Sequence, residues 1–183
     1  MIRILLAIML ALGCQFSFGQ NDAPKEVTLQ ILQQLKANIE KQIPAFRKKC
    51  SDSDLTVGEI EFAVDTFRIE ELARKRMDID YSTLGRNTAI EALTVSYDKL
   101  MNKYYHRLLK MLKPEDQKVL VTAQRAWISF RNAEANLIAA IAKEEYTGGG
   151  TIQTTIAVET YHKLVVQRTR AIFNYYDNIR GDQ

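Results

Sequence analysis

Long reaches of this chain contain no helix breaker, and in them apolar residues recur three and four apart. Only three prolines and eight glycines occur in 183 residues. That spacing lines up one apolar stripe on an α-helix and scatters on a strand. The fold class expected is therefore all-α: a single-domain bundle of about four to five antiparallel helices.

The first helix is predicted from about Glu26 to Lys49, with Leu29, Leu32, Leu35, Ile39 and Ile43 in its stripe and Pro44 as a kink or end. Cys50 to Thr56 reads as a polar linker. Between about Gly58 and Asp78 the pattern is ambiguous. Ile60, Phe62 and Val64 alternate like a strand, whereas Phe62, Ile69 and Leu72 fit a helix. The Glu, Leu, Ala, Arg and Lys content of Ile69 to Met77 favours helix. The third helix opens at a Ser82 or Thr83 cap. Its seam is Ile90, Leu93, Tyr97, Leu100, Tyr104, Leu108 and Met111.

Lys113-Pro114-Glu115-Asp116 marks the next start, with proline in the first turn and acids beside it. The fourth helix has the longest regular seam: Val119, Ala123, Ala126, Phe130, Ala133, Leu137 and Ala140. Its small residues suit close approach of a neighbouring helix. Gly148-Gly149-Gly150 stops it and makes a turn. A fifth helix is predicted from about Thr155 to Asn178, with Tyr161, Leu164, Arg168, Ile172, Tyr175 and Ile179 on one face.

The N-terminus reads as an export signal spanning residues 1–19. Arg3 supplies a short positive start, and Ile4 to Gly13 is an apolar run too short to span a bilayer of ~30 Å. Two processing patterns fit. Ser17 and Gly19 place cleavage before Gln20. Leu10-Ala11-Leu12-Gly13-Cys14 is instead close to a lipobox, in which Cys14 carries a lipid anchor. Either way the protein is expected outside the cytoplasm, in the periplasm or secreted, with no later membrane span. Residues 20–79 then form an N-terminal helical segment, and residues 80–178 a second helical unit. Arg3 is the only charged residue of the signal, so its removal takes the formal charge from +3 to +2. A balance so near zero names no partner. With Cys14 gone, Cys50 is a lone and incidental thiol, and the helical core must hold without a disulfide.

The densest polar cluster lies on the fourth helix, from Gln124 to Glu134. At helical spacing Leu120, Gln124, Trp127, Arg131, Glu134, Ile138 and Ile141 form a stripe beside the seam. Polar groups flanked by apolar ones need partners. Arg131 and Glu134 are three apart and within reach of each other. Arg168, amid the fifth helix's apolar face, is a third candidate. Gln124, Trp127, Arg131, Glu134 and Arg168 are thus either an interhelical network fixing register or a recognition site for a protein partner.

Arg and Gln make no general acid or base at neutral pH, so catalysis is not expected. Neither is a cofactor or a metal. Glu159-Thr160-Tyr161-His162 is a single copy of a pattern that di-metal bundles use twice, and Lys103 stands in the matching place before His106. The triple glycine lacks a following Lys-Ser/Thr and follows a helix, which excludes a phosphate loop. Lys103-Tyr104-Tyr105-His106-Arg107 mixes bases with aromatics, but Tyr104 belongs to a core seam and export leaves no nucleic acid to bind. The first helix is basic and Asp52 to Glu71 is acidic, so the two stretches are expected to face each other.

Ala123-Gln124-Arg125-Ala126-Trp127-Ile128-Ser129-Phe130-Arg131-Asn132-Ala133-Glu134 resembles the signature of the LprI-like lysozyme-inhibitor family of secreted bacterial proteins. That signature is Ala-Gln-Arg-Ala-Trp, two residues, an aromatic, then Arg-Asp/Asn-Ala-Glu. Tyr97 to Tyr105 is similar to the family's preceding helix. Gly148-Gly149-Gly150-Thr151 and Arg168-Thr169 match its turn and its Arg-Thr. The resemblance runs from about Asp80 to Tyr176. It implies a helical, non-enzymatic protein, one branch of which binds and inhibits lysozyme.

Two departures stand out. The family carries one cysteine directly after Ala-Glu and another on the last helix. Here Ala135 and the Thr160-Tyr161 region occupy those places, so a function tied to that crosslink is in doubt. Lysozyme is basic, and Asp52 to Glu71 is the one obvious acidic stretch here.

Overall fold

A computed structural model describes residues 23–181, which are helical throughout apart from short turns and caps. The signal, Cys14 and both processing sites lie outside the described residues. α1 (Leu29–Glu40) starts where the Thr28 hydroxyl accepts the Ile31 amide at 3.3 Å. The chain turns at Lys41-Gln42 and re-enters helix as α2 (Ile43–Ser51), with Pro44 in its first turn. The first helix expected is thus two. Proline lacks the N–H that a continuous helix would use, but a helix start has no use for it. Cys50 is not in a linker: it is a buried free thiol in α2.

α3 (Val57–Ile79) is helical in the ambiguous region. A capping box starts it: Thr56 Oγ1 accepts from Glu59 N at 3.1 Å, and a Glu59 carboxylate oxygen accepts from Thr56 N at 2.7 Å. α4 (Thr83–Met111) has the expected Ser82 cap, which accepts the Gly85 amide at 3.0 Å. α5 (Pro114–Ile141) follows. A four-residue helix, α6 (Glu144–Thr147), and the triple glycine then lead into α7 (Thr151–Gly181). Gly148, Gly149 and Gly150 have φ of +75°, +64° and +85°. Three successive left-handed residues are accessible at low cost only to glycine. That is why this triplet, and no other part of the chain, makes the turn.

Successive long helices alternate in direction, which leaves α4 and α7 parallel and in the closest contact of any pair. Thr94 meets His162, Tyr97 meets Thr169, and Tyr104 meets Phe173 and Tyr176. α3 lies antiparallel to both, with Phe62 stacked on Phe173 at 4.1 Å and edge-on to Tyr104. Gly58 lets the start of α3 touch the end of α7. A Cβ there would sit 1.7 Å from an Asp177 carboxylate oxygen. α1 and α2 pack on the outer side of α3, where Phe46 stacks on Phe67 at 4.2 Å.

The α4 seam is the core as expected, with Tyr97, Leu100, Tyr104 and Leu108 buried and Met101 beside them. On α7 the buried row is Val165, Thr169, Ile172, Phe173 and Tyr176, while Tyr175 points outward. The face expected for the fifth helix is therefore rotated, because helices on two sides, α3 and α4, select its core-facing residues.

α3 does pack against α1 and α2, but Glu61 and Asp65 of the acidic stretch pair with α4: Arg107 reaches Glu61 at 2.9 Å and Lys103 reaches Asp65 at 2.5 Å. Burial alone would raise the Glu61 carboxyl; the bonds from Arg107 and Lys103 outweigh it and hold it below the usual range. Among the described residues, an ion pair with α1 runs the other way, Arg68 of α3 on Glu40 at 2.8 Å. Glu71 is held at about 2 by hydrogen bonds from Arg74 and Lys75. Lys103 and Arg107 also lie over the Tyr104 ring, so the basic-aromatic run of α4 is part of the fold's own packing.

Candidate functional site

α5 turns a different face inward from the one its most regular row suggested. Val119, Phe130 and Leu137 of that row are 66, 52 and 51% exposed, and Ala123, Ala126 and Ala133 are exposed too. The stripe that meets α4 and α7 is Leu120, Gln124, Trp127, Arg131 and Ile138. Leu120 and Gln124 are the only buried residues of the helix. Area explains the choice. Hydrophobic stabilisation scales with apolar surface removed from water, and the four alanines among the row's seven residues offer little. Leu120, Trp127 and Ile138 have more to bury, and they carry Gln124 and Arg131 inward with them.

The inward polar groups find partners on both neighbouring helices. Arg168 Nε of α7 donates to the Gln124 amide oxygen at 3.0 Å, and the Gln124 amide nitrogen lies 3.6 Å from Met101 Sδ of α4. The Arg131 and Arg168 guanidinium carbons lie 5.3 and 5.9 Å from the Trp127 ring centroid. Both are within cation–π range. Burial lowers the affinity of Arg168 for its proton. No ion pair joins Arg168 to a carboxylate among the described residues, so the neutral Gln124 oxygen and the Trp127 face are its solvation.

Arg131 does not meet Glu134. It reaches Asp98 of α4 at 3.4 Å and the Asn132 side chain at 3.1 Å. Glu134 stands one turn on, partly exposed, in a cleft with Leu137, Ile138, Gln153, Ile156 and Thr160. The geometry thus gathers Gln124, Trp127, Arg131 and Arg168 and leaves Glu134 outside. Asp98 and Met101 were not singled out from the sequence. Their signal was slight: each is a lone residue on another helix, and only the antiparallel contact of α4 with α5 brings them here.

Ala135 and Tyr161 line one apolar cleft of about 400 Å³, with Thr94, Ile138 and Ala157 among its other walls. The two regions where the family motif places cysteines thus face each other across α5 and α7. Next to this cleft His162 Nδ1 lies 2.9 Å from Thr94 Oγ1, and the His162 ring sits edge-on to Tyr97. The Tyr97 hydroxyl donates to Glu70. The Thr94 hydroxyl has one proton, which the Ile90 carbonyl takes at 2.8 Å, so His162 Nδ1–H is the donor to Thr94.

Burial depresses the His162 pKa; Glu70 and Glu159 oppose this and Lys163 adds to it. The folded protein therefore binds fewer protons here than the unfolded chain, and stability rises with pH through this group. Acidification from above the ordinary histidine value of 6.5 to below it should destabilise the bundle. Urea melts at pH 7.5 and 5.5 check this: His162→Asn, which keeps a donor toward Thr94, should lose less stability on acidification than the wild type.

An all-α bundle with a glutamine–arginine–tryptophan network between its last long helices defines the class of protein. The chain belongs to the LprI family: the family model described as Lysozyme inhibitor LprI matches residues 74–172, more than half of the chain and all of the α5 motif. Neither the curated proteins nor the solved structures yield a match.

Proposed function

We propose that this protein is an exported, non-enzymatic binding protein that inhibits lysozyme and so protects the cell wall. The family match over residues 74–172 carries the proposal. Export rests on the signal read at residues 1–19, with Cys14 as the lipid-anchor position if the lipobox pattern is the one used. The partner is a protein, and Trp127, Arg131, Glu134 and Arg168 are the site residues that keep some exposure.

Glu61 and Asp65 are paired with bases of α4, which reduces what the acidic stretch offers to a basic enzyme. Recognition then rests on shape and on directed polar groups, as in interfaces where a few aromatic and arginine residues dominate. The test is lysozyme activity on cell walls with equimolar protein, across several lysozyme types. Inhibition of at least one type is expected; unchanged rates with all of them would remove the inhibitor reading. A second reading is an envelope structural module. It is favoured by the part-buried Gln124–Arg168 bond, which ties α5 to α7 whatever the partner.

A further inference from the structure

We propose that the outward face of α5 pairs with the same face of a second copy of this chain, in antiparallel register. The row Val119, Ala123, Ala126, Phe130, Ala133, Leu137 and Ala140, exposed except for the half-buried Ala140, advances by alternating steps of four and three. That is the 3.5-residue period of a helix–helix seam, not the wider stripe of a helix laid on a globular core. Within the monomer this row stays largely in water.

The row is complementary to itself when run backwards. Centred on Phe130, antiparallel pairing sets Val119 against Ala140, Ala123 against Leu137, and Ala126 against Ala133. Val119 and Leu137 thus face alanines toward the two ends of the seam, and Ala126–Ala133 pairs leave room beside a central Phe130 pair. Parallel pairing would set alanine on alanine at four levels instead of two and leave more gaps, which close packing disfavours. The outer border of the seam is neutral in its middle, with Thr122, Ser129 and Asn136, and carries Glu115 at one end and Lys143 at the other. Antiparallel pairing sets Glu115 against Lys143, with the exposed Glu144 and Glu145 beside it. Parallel pairing would set Glu115 on Glu115.

The area is sufficient when α7 is included. Tyr175 shares a cleft with Val119 and Ala123, and Ile156 shares one with Leu137 and Ile141; Tyr175 and Ile156 are half exposed. A 22-residue seam is about 33 Å long, and two adjacent helices are roughly 20 Å wide. The side is then roughly 650 Å² per copy, so pairing buries roughly 1,300 Å² in all, inside the range of stable interfaces. The inference does not depend on the lysozyme reading.

Analytical ultracentrifugation of the purified protein over a wide concentration range tests it. A monomer–dimer equilibrium is expected for the wild type. Phe130→Glu should weaken it at least about tenfold by burying charge at the centre of the seam. Circular dichroism should show that this variant keeps its helices, since Phe130 contributes little to the monomer core. Register is tested by two double variants. Ala126→Glu with Ala133→Lys should associate more tightly than Ala126→Glu with Ala133→Glu, because only antiparallel pairing sets position 126 against 133. A wild type that stays monomeric throughout, or a folded Phe130→Glu that dimerises unchanged, overturns the proposal. Equal association of the two double variants overturns the register.

Discussion

Tyr104→Ala is expected to destabilise the bundle by about 3–5 kcal/mol, the usual loss when a buried aromatic is truncated. Tyr104 is fully buried and touches all three core helices. Phe62 of α3 and Phe173 and Tyr176 of α7 pack on its ring, while Lys103 and Arg107 lie over it. Its hydroxyl donates to Asp65 at 3.0 Å, and burial together with Asp65 pushes its pKa up, so it stays a neutral donor. Removing the ring leaves a cavity that three rigid helices cannot close. Domains of this size are stable by only about 5–15 kcal/mol, so the loss would be a large share of the total. Tyr104→Phe keeps the ring and loses one hydrogen bond to a carboxylate, for a smaller cost of about 1.5–3 kcal/mol. Urea unfolding followed by far-ultraviolet circular dichroism measures both; equal costs would show that the hydroxyl and not the ring matters.

Gln124→Ala should cost about 1.5–3 kcal/mol, the range for a hydrogen bond to a charged group. Gln124 is buried, and its loss leaves the Arg168 guanidinium against Trp127 without an acceptor at Nε. Arg131→Ala should cost less, roughly 0–1 kcal/mol, because its Asp98 partner is well exposed and such pairs contribute little. The contrast separates two roles within one motif. Gln124 with Arg168 sets the register of α5 on α7. Arg131, Trp127 and Glu134 are the members from which function is to be read, and Arg131→Ala is the variant to compare in a lysozyme assay because it should stay folded. Thermal melts of the two variants decide the matter. Equal destabilisation would mean that the motif is a single structural network.

The parts legible in the sequence were those that local chemistry fixes. The cap at Ser82, the Pro114 start and the triple-glycine turn each depend on residues within a few positions of one another. The α4 seam was legible because α4 is the central helix, and a helix enclosed on several sides buries its large apolar residues. The α3 helix was legible despite its strand-like alternation, since helix propensity over Ile69 to Met77 agreed with the packing that followed.

What failed was the orientation of the outer helices. On α5 a regular apolar row and a polar stripe competed for the core, and regularity pointed to the wrong one. Only the neighbours decide which row faces in, through the area each can bury and the partners each polar group can find. Met101 and Arg168 supply those partners for Gln124, and Asp98 takes Arg131 from Glu134. The same holds for Glu61 and Asp65 of α3, which pair with bases on α4 although α3 also packs on the basic first helix.

The sequence by itself determined that this chain is helical, where most helices start and stop, and which motif marks its family, because these rest on contacts between near neighbours. Tertiary structure alone decided which face of α5 is core and which is left in water. That choice compares surfaces contributed by helices far apart in the chain, and no local pattern contains the comparison.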